Sequence, residues 1–371
     1  MLRLLPMLLV CAALAGLSIQ PATAAQRMPI AALQELQSVL VLGSNLRKDH
    51  PLFAQRVRQA AKRGCKVFAI NAQVQDWALP VTASAVATKD WAQALADIAV
   101  AVAQAKGVPA PVVGGTAPAQ AQAITQALLA GERKAILLGN AAAHHGHAAQ
   151  LLALAQWIGE QTGATVGYLT EAANTVGAQW VQAQPQKDGK NAGEMLTGAI
   201  KAAILLNTEP AFDAAAGAKG LEQADMVITL SPFKANLDIS DVLLPVAPFT
   251  ETSGTFVNAE GRVQSFHAVV KPLGETRPAW KVLRVLANLL ELPGFDYESS
   301  QDVLTAAIGA ETKEVPSALR SNITKVAAKV PENEAAEPVT ASIYQLDGIV
   351  RRATSLQLTA DARLAREGGA A

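Results

Sequence analysis

Asp241-Val-Leu-Leu-Pro-Val-Ala-Pro-Phe-Thr-Glu-Thr-Ser-Gly-Thr-Phe-Val-Asn-Ala-Glu-Gly-Arg-Val-Gln264 carries the strongest structural signal in this sequence. The apolar run Val242 to Leu244 stops at Pro245, which cannot donate a ladder hydrogen bond. A polar loop, Thr250-Glu-Thr-Ser-Gly254, leads into a second apolar run, Thr255 to Val257. Asn258-Ala-Glu-Gly261 has the chemistry of a chain reversal, with Asn and Gly at positions where left-handed backbone is cheap. Arg262 to Val270 then reads as the returning strand, ended by Lys271-Pro272.

Working outward, the chain alternates between short apolar runs and helical stretches. Ser38 to Gly43 is a continuous apolar run, as a strand buried on both faces of a parallel sheet requires. After the turn Gly43-Ser44-Asn45, Asp49-His50 offers a cap and Pro51 suits a first helical turn. Leu52, Phe53, Val57, Ala60 and Ala61 recur at helical spacing until Gly64, and Lys66 to Asn71 supplies the next strand. Trp91 to Lys106 reads as an alanine-rich helix. Further strands fall at Ala135 to Leu138, Thr165 to Tyr168, Ala202 to Leu206 and Met226 to Leu230, with a helix marked by Leu151, Leu154, Ala155 and Ile158. This rhythm predicts an α/β fold with doubly wound, mostly parallel sheets. The glycine- and proline-rich residues 107–118 read as a linker between two Rossmann-like halves, 28–106 and 119–294, followed by an extended tail, 295–371. Within it, 331–338 reads as a solvated link and Tyr344 to Arg352 as a short docking helix.

The string Thr250-Glu-Thr-Ser-Gly-Thr-Phe-Val-Asn-Ala-Glu-Gly-Arg-Val-Gln264 resembles the closing segment of the molybdopterin oxidoreductase domain. In particular it is similar to the G subunits of bacterial NADH:quinone oxidoreductase, respiratory complex I. The resemblance extends over roughly 28–292, including Val39-Leu-Val-Leu-Gly-Ser-Asn-Leu-Arg47, Asp49-His-Pro51 and Thr276-Arg-Pro-Ala-Trp280. It implies a structural part of a peripheral arm that passes electrons from NADH to quinone, docked on other subunits of that arm at the cytoplasmic face of the membrane. Full-length relatives carry iron–sulfur clusters in an amino-terminal region that does not precede Met28 here, so no cluster, no catalytic residue and no metal are expected in this chain. In catalytic relatives, loops matching Gly43, Ser44 and Asn45 and the segment with Glu251, Gly254, Asn258, Gly261 and Arg262 lie beside the pterin dinucleotide. The resemblance makes these residues a vestigial pterin site, with Glu251 and Arg262 pairing and Asn258 capping the turn; bound molybdopterin is not expected.

Composition narrows the alternatives. Lys plus Arg and Asp plus Glu are 31 each, which gives no basic surface for nucleic acid. Two cysteines, Cys11 and Cys65, fall short of the four ligands a conventional cluster needs, and Cys65 reads as a small buried hydrophobe. The turn after the first strand lacks G-x-G-x-x-G and the second strand ends Asn71-Ala-Gln73 without an acid for a ribose, so direct NADH binding is not expected. His144, His145 and His147 have no carboxylate or cysteine nearby in sequence and read as a polar loop rather than a metal site. No G-x-S-x-G elbow occurs; Ser253-Gly254 and Ser231-Pro232 read as turns.

Residues 1–25 carry a signal-like pattern: Arg3, an apolar core from Leu4 to Leu17, and Ala22-Thr-Ala24. That core is too short for an ordinary spanning helix, and the chain is expected to have none. The signal-like start conflicts with a cytoplasmic-face subunit. It fits either a truncated or misjoined reading frame or an exported two-lobed ligand-binding protein. A pterin-binding molybdenum oxidoreductase fragment is the remaining alternative.

Overall fold

The structure is a computed structural model describing residues 28–198, 200–316, 322–333, 337–338 and 341–366. The signal-like segment, 1–25, with Cys11, and the last residues, 367–371, lie outside the described residues. The described residues form two compact units: one built from 28–172 with those of Pro316–Tyr344 and 354–366, the other from Ala173–Val315 and Gln345–Ala353.

The first unit is organised on a parallel five-stranded sheet, β1 (Ser38–Leu42), β2 (Lys66–Asn71), β3 (Thr82–Ala85), β4 (Lys134–Leu138) and β5 (Thr165–Tyr168), in the order β3-β2-β1-β4-β5. Every residue of β1 and β4 is buried. Alternate side chains feed opposite faces, as the strand period dictates. Leu40, Leu42, Ile136 and Leu138 pack with the helices Trp91–Lys106, Ala119–Leu129 and Ala148–Thr162, whereas Val39, Val41, Ala135 and Leu137 pack with the helix Pro51–Lys62. Helices on both faces make this sheet doubly wound, as expected. The long helices end where the sequence places glycine, Gly107 and Gly163 taking left-handed φ of 66° and 75°.

Residues 107–118 do not separate two sheets. β4 pairs with β1 in register, Leu40 opposite Ile136, so the strands after this stretch extend the sheet begun before it. The stretch is held on its own helix: Thr116 N–H donates to Asp97 Oδ1 (2.9 Å), and a Cβ on Gly115 would meet Val100 Cγ2 at 2.7 Å. The unit boundary falls at Ala172–Ala173 instead.

The second unit has a parallel three-stranded sheet, β6 (Ala202–Leu206), β7 (Met226–Ser231) and β8 (Val242–Pro245), over a small core of Leu196, Ala203, Leu205, Leu221 and Val227. It also has the antiparallel hairpin β9 (Gly254–Val257) and β10 (Val263–Phe266). β10 is shorter than the returning strand expected from sequence. The helix Ala279–Leu289 follows, starting after Pro278. The tail is not one extended piece. Ser299 and Asp302 form a capping box for the helix Ser300–Ile308, and residues 322–324 dock on Gln156, whose Nε2 donates to Asn322 O (2.7 Å).

Candidate functional site

Gly43, Ser44 and Asn45 sit at the carboxyl edge of the five-stranded sheet, where neighbouring connections leave β1 and β4 toward opposite faces. Doubly wound folds bind ligands in such a crevice. Here the turn is occupied with its own protein. Gly43 takes φ of 68°, and a Cβ there would meet Ala142 N at 2.7 Å and the Trp91 ring at 2.9 Å. Its carbonyl accepts from Ala141 N–H (3.0 Å). Across the crevice, a Cβ on Gly139 would lie 2.3 Å from Ser44 Cβ and 2.4 Å from Gly43 O. Both glycines therefore serve the approach of β1 to β4.

The polar groups of this turn are paired internally. Ser44 N–H donates to Asn71 Oδ1 (2.9 Å), and Asn71 Nδ2 donates back to Ser44 O (3.1 Å). Asp49 does not cap the helix Pro51–Lys62, which has no side-chain cap. Its carboxylate turns back to accept from Asn45 N–H (3.0 Å) and the Ser44 hydroxyl (3.4 Å). Burial pushes the Asp49 carboxyl up, against the hydrogen bond from Asn45.

The three histidines of the following loop go to separate partners. His144 Nε2 lies 3.0 Å from Glu171 Oε2, which raises the imidazole pKa. His145 stacks on Trp91 at 5.8 Å; its Nε2 meets Thr88 O and its Nδ1 accepts from His147 N–H, while burial lowers its pKa. His147 Nε2 meets Asn333 O. Among the described residues no group of three or more His, Cys, Asp or Glu is arranged to hold a metal ion. Cys65 is buried and its thiol is pushed up to about 11. At the same edge Asn140 Oδ1, His50 Nδ1 and the Tyr168 hydroxyl are buried with no hydrogen-bond partner among the described residues, and burial raises the Tyr168 pKa to about 12.

Glu251, Gly254, Asn258, Gly261 and Arg262 belong to the other unit, where the hairpin brings them together. Asn258 caps the reversal as the sequence implies, its Oδ1 accepting from Glu260 N–H (3.0 Å) and Arg262 N–H (2.9 Å). Gly261 takes φ of 82°, and its carbonyl accepts from Val315 N–H (2.8 Å). Gly254 lets the Phe266 ring close on the strand, 2.6 Å from where a Cβ would stand. Glu251 and Arg262 do not pair. Glu251 accepts from Leu273 N–H (2.9 Å), while Arg262 lies 3.4 Å from Glu260, the acid nearer in the turn. Two open depressions, of about 290 Å³ beside Leu196 and Lys219 and about 240 Å³ beside Val86 and Asp90, are lined by none of these motif residues.

Sequence reading missed Asn71 as the lock on Ser44, Trp91 and Glu171 as partners in the histidine loop, and a charged cluster of Glu209, Asp213, Arg351 and Arg352. An Asn ending β2, as Asn207 follows β6, was the available signal for the first.

A model of the molybdopterin oxidoreductase family matches residues 13–289. The chain belongs to the molybdopterin oxidoreductase family. Curated relatives include a protein of Staphylococcus aureus (strain bovine RF122 / ET3-1) named "Putative formate dehydrogenase SAB2186c", 39% identical over 77 residues, which are 20% of this chain and 8% of the relative. Another, "Probable oxidoreductase YjgC" of Bacillus subtilis (strain 168), is 40% identical over 70 residues, 19% of this chain and 7% of the relative. The matches thus span under a tenth of these relatives. Among solved structures, acetylene hydratase from Pelobacter acetylenicus aligns with a TM-score of 0.54 at 14% identity, over 77% of this chain and 53% of that one. This likeness is one of fold. Among the described residues no helix is long and apolar enough to cross a membrane.

Proposed function

We propose that this member of the molybdopterin oxidoreductase family is a scaffold, of the kind found in the G subunits of NADH:quinone oxidoreductase. Its role is to support a peripheral arm that carries electrons on cofactors held elsewhere. One observation carries this reading: the groups matching the family's pterin-facing loops are engaged with the chain's own residues. A pyrophosphate at the first turn would need the Ser44 and Asn45 N–H groups, which donate instead to Asn71 and Asp49. The space beside Gly43 is taken by Ala142 and Trp91. These pairings speak against a pterin nucleotide at this turn, and no step of a reaction is routed through it.

The residues have structural work in this reading. Asn71 ties β2 to the β1 turn, Asn258 and Gly261 shape the hairpin, and Val315 N–H anchors it. Neighbouring subunits have apolar surface to use: Val269, Leu273 and Leu289 are 82%, 78% and 76% exposed. The test is molybdenum and pterin content of the intact chain purified from cells supplied with molybdate. The scaffold reading expects less than a tenth of an equivalent and co-purification with other arm subunits; one equivalent of each overturns it.

A second reading, a pterin-binding oxidoreductase fragment, is favoured by Asn140 Oδ1, His50 Nδ1 and the Tyr168 hydroxyl at the same sheet edge, buried without a partner among the described residues, and by the names of the relatives. The same measurement separates the two.

A further inference from the structure

The carboxyl edge of the three-stranded sheet holds a charged cluster that neither family membership nor the scaffold reading uses. β6 runs into Asn207, Thr208 and Glu209; β7 runs into Phe233. The Glu209 carboxylate is buried, with the residue 9% exposed. Both its oxygens are taken by Arg352, Nη1 to Oε1 at 2.7 Å and Nη2 to Oε2 at 2.9 Å, in the parallel fork that only a guanidinium makes. Arg351 bridges Glu209 Oε1 (2.9 Å) and Asp213 Oδ1 (2.7 Å). The two guanidinium groups lie over aromatic rings, Arg352 4.4 Å from the centre of Phe233 and Arg351 5.0 Å from that of Phe212.

The receptor side is braced independently of its occupant. Glu209 N–H donates to Asp213 Oδ2 (2.7 Å), and Asn236 Nδ2 donates to Thr208 O (2.8 Å), fixing the strand-end turn. The occupant is a short capped segment. Asp347 caps the helix Gly348–Arg352 by accepting from Ile349 N–H (2.8 Å) and Val350 N–H (3.0 Å). Gly348 grants the approach: a Cβ there would stand 3.2 Å from Glu209 Oε1. A carboxylate this enclosed is costly without a cation, and a lysine could supply neither the fork nor the stacked plane.

We propose that Glu209, Asp213, Phe212 and Phe233 form a docking site for a di-arginine segment, filled in cis by residues 345–353 as a releasable strap over the edge of β6 and β7. The same site takes that segment in trans when the chain's own arginines are removed. Cis occupancy wins in the native chain because tethering gives the strap a high effective concentration.

The test uses the whole chain carrying R351A and R352A, and a fluorescein-labelled peptide of residues 345–353, read by anisotropy. The peptide should bind this variant at least about tenfold more tightly than it binds the native chain. Replacing both peptide arginines by lysine, or adding E209Q to the variant, should weaken binding at least about tenfold. No binding, or equal binding by the lysine peptide or the E209Q variant, overturns the proposal. Should the double variant not fold, hydrogen exchange on the single variant E209Q replaces it. Amides 349–353 should exchange at least about tenfold faster than in the native chain while Ile204 to Leu206 are unchanged; unchanged exchange at 349–353 overturns it.

Discussion

The two parallel sheets of this chain close their carboxyl edges by different physics. In the five-stranded sheet, backbone meets backbone at Gly43 and Gly139, and the remaining polar groups pair within the turn through Asn71 and Asp49. In the three-stranded sheet, ionic side chains from a sequence-remote segment lie across the edge, Arg351 and Arg352 upon Glu209. Steric closure of the first kind has no loose end to release. Ionic closure of the second kind can be undone by protonation or a competing cation. One unit is thereby a fixed frame, and the other carries a fastener.

The largest expected effect breaks the first closure. Gly43→Ala places a Cβ against Ala142 N and the Trp91 ring on a left-handed backbone, and should cost about 3–5 kcal/mol in denaturant unfolding of the first unit. Gly139→Ala carries no backbone penalty, φ being −88°, but its Cβ would stand 2.3 Å from Ser44 Cβ and 2.4 Å from Gly43 O, closer than any contact at Gly43, so it should cost a similar amount, about 3–5 kcal/mol. A cost at Gly139 far below that at Gly43 would mean that β1 and β4 part easily there and that the left-handed turn dominates the penalty at Gly43. Asn71→Ala leaves the Ser44 amide unpaired in a buried place and should cost about 1–3 kcal/mol, with faster exchange at that amide.

These sites were unequally legible in the sequence. Gly43 and Asn207 announce a turn, and both take positive φ, 68° and 51°. Which partners seal the turn was not legible, because Asn71 lies 27 residues from Ser44 and Trp91 further still. β1 and β4 were plain as unbroken apolar runs, whereas β3, Thr-Ala-Ser-Ala at the sheet edge, is small and half-exposed and left no apolar signature. The 107–118 stretch has linker composition, but strand order is set by pairing at a distance, so composition alone misplaced the boundary. The hairpin was legible because its reversal is local; the partner of Arg262 was not, because Glu260 competes with Glu251 within the same turn. The strap was the least legible, since nothing local ties Arg352 to Glu209.

Acidity sharpens the contrast. Hydrogen bonding from Arg352, then from Arg351, holds the Glu209 carboxyl below its ordinary value of 4.5. A depressed carboxyl contributes stability that is complete above the ordinary value and lost as pH falls through the folded one. Protection of amides 349–353, corrected for the intrinsic pH dependence of exchange, should therefore be flat from neutrality to about pH 5 and fall in stronger acid. The smallest effect belongs to His144. Glu171 raises its pKa, so the pair contributes fully below 6.5 and fades as pH climbs through the folded value. Being part-exposed it should be worth under about 1 kcal/mol, visible as loss of the pH dependence of unfolding in Glu171→Gln.

The sharpest test of the proposal that the Gly43 turn is sealed by the protein's own groups against a pterin nucleotide is amide exchange at Ser44 and Ala141 in the intact chain, with and without added molybdopterin guanine dinucleotide. The account predicts slow exchange at both amides, unchanged by the nucleotide. Rapid exchange that slows on its addition would contradict it.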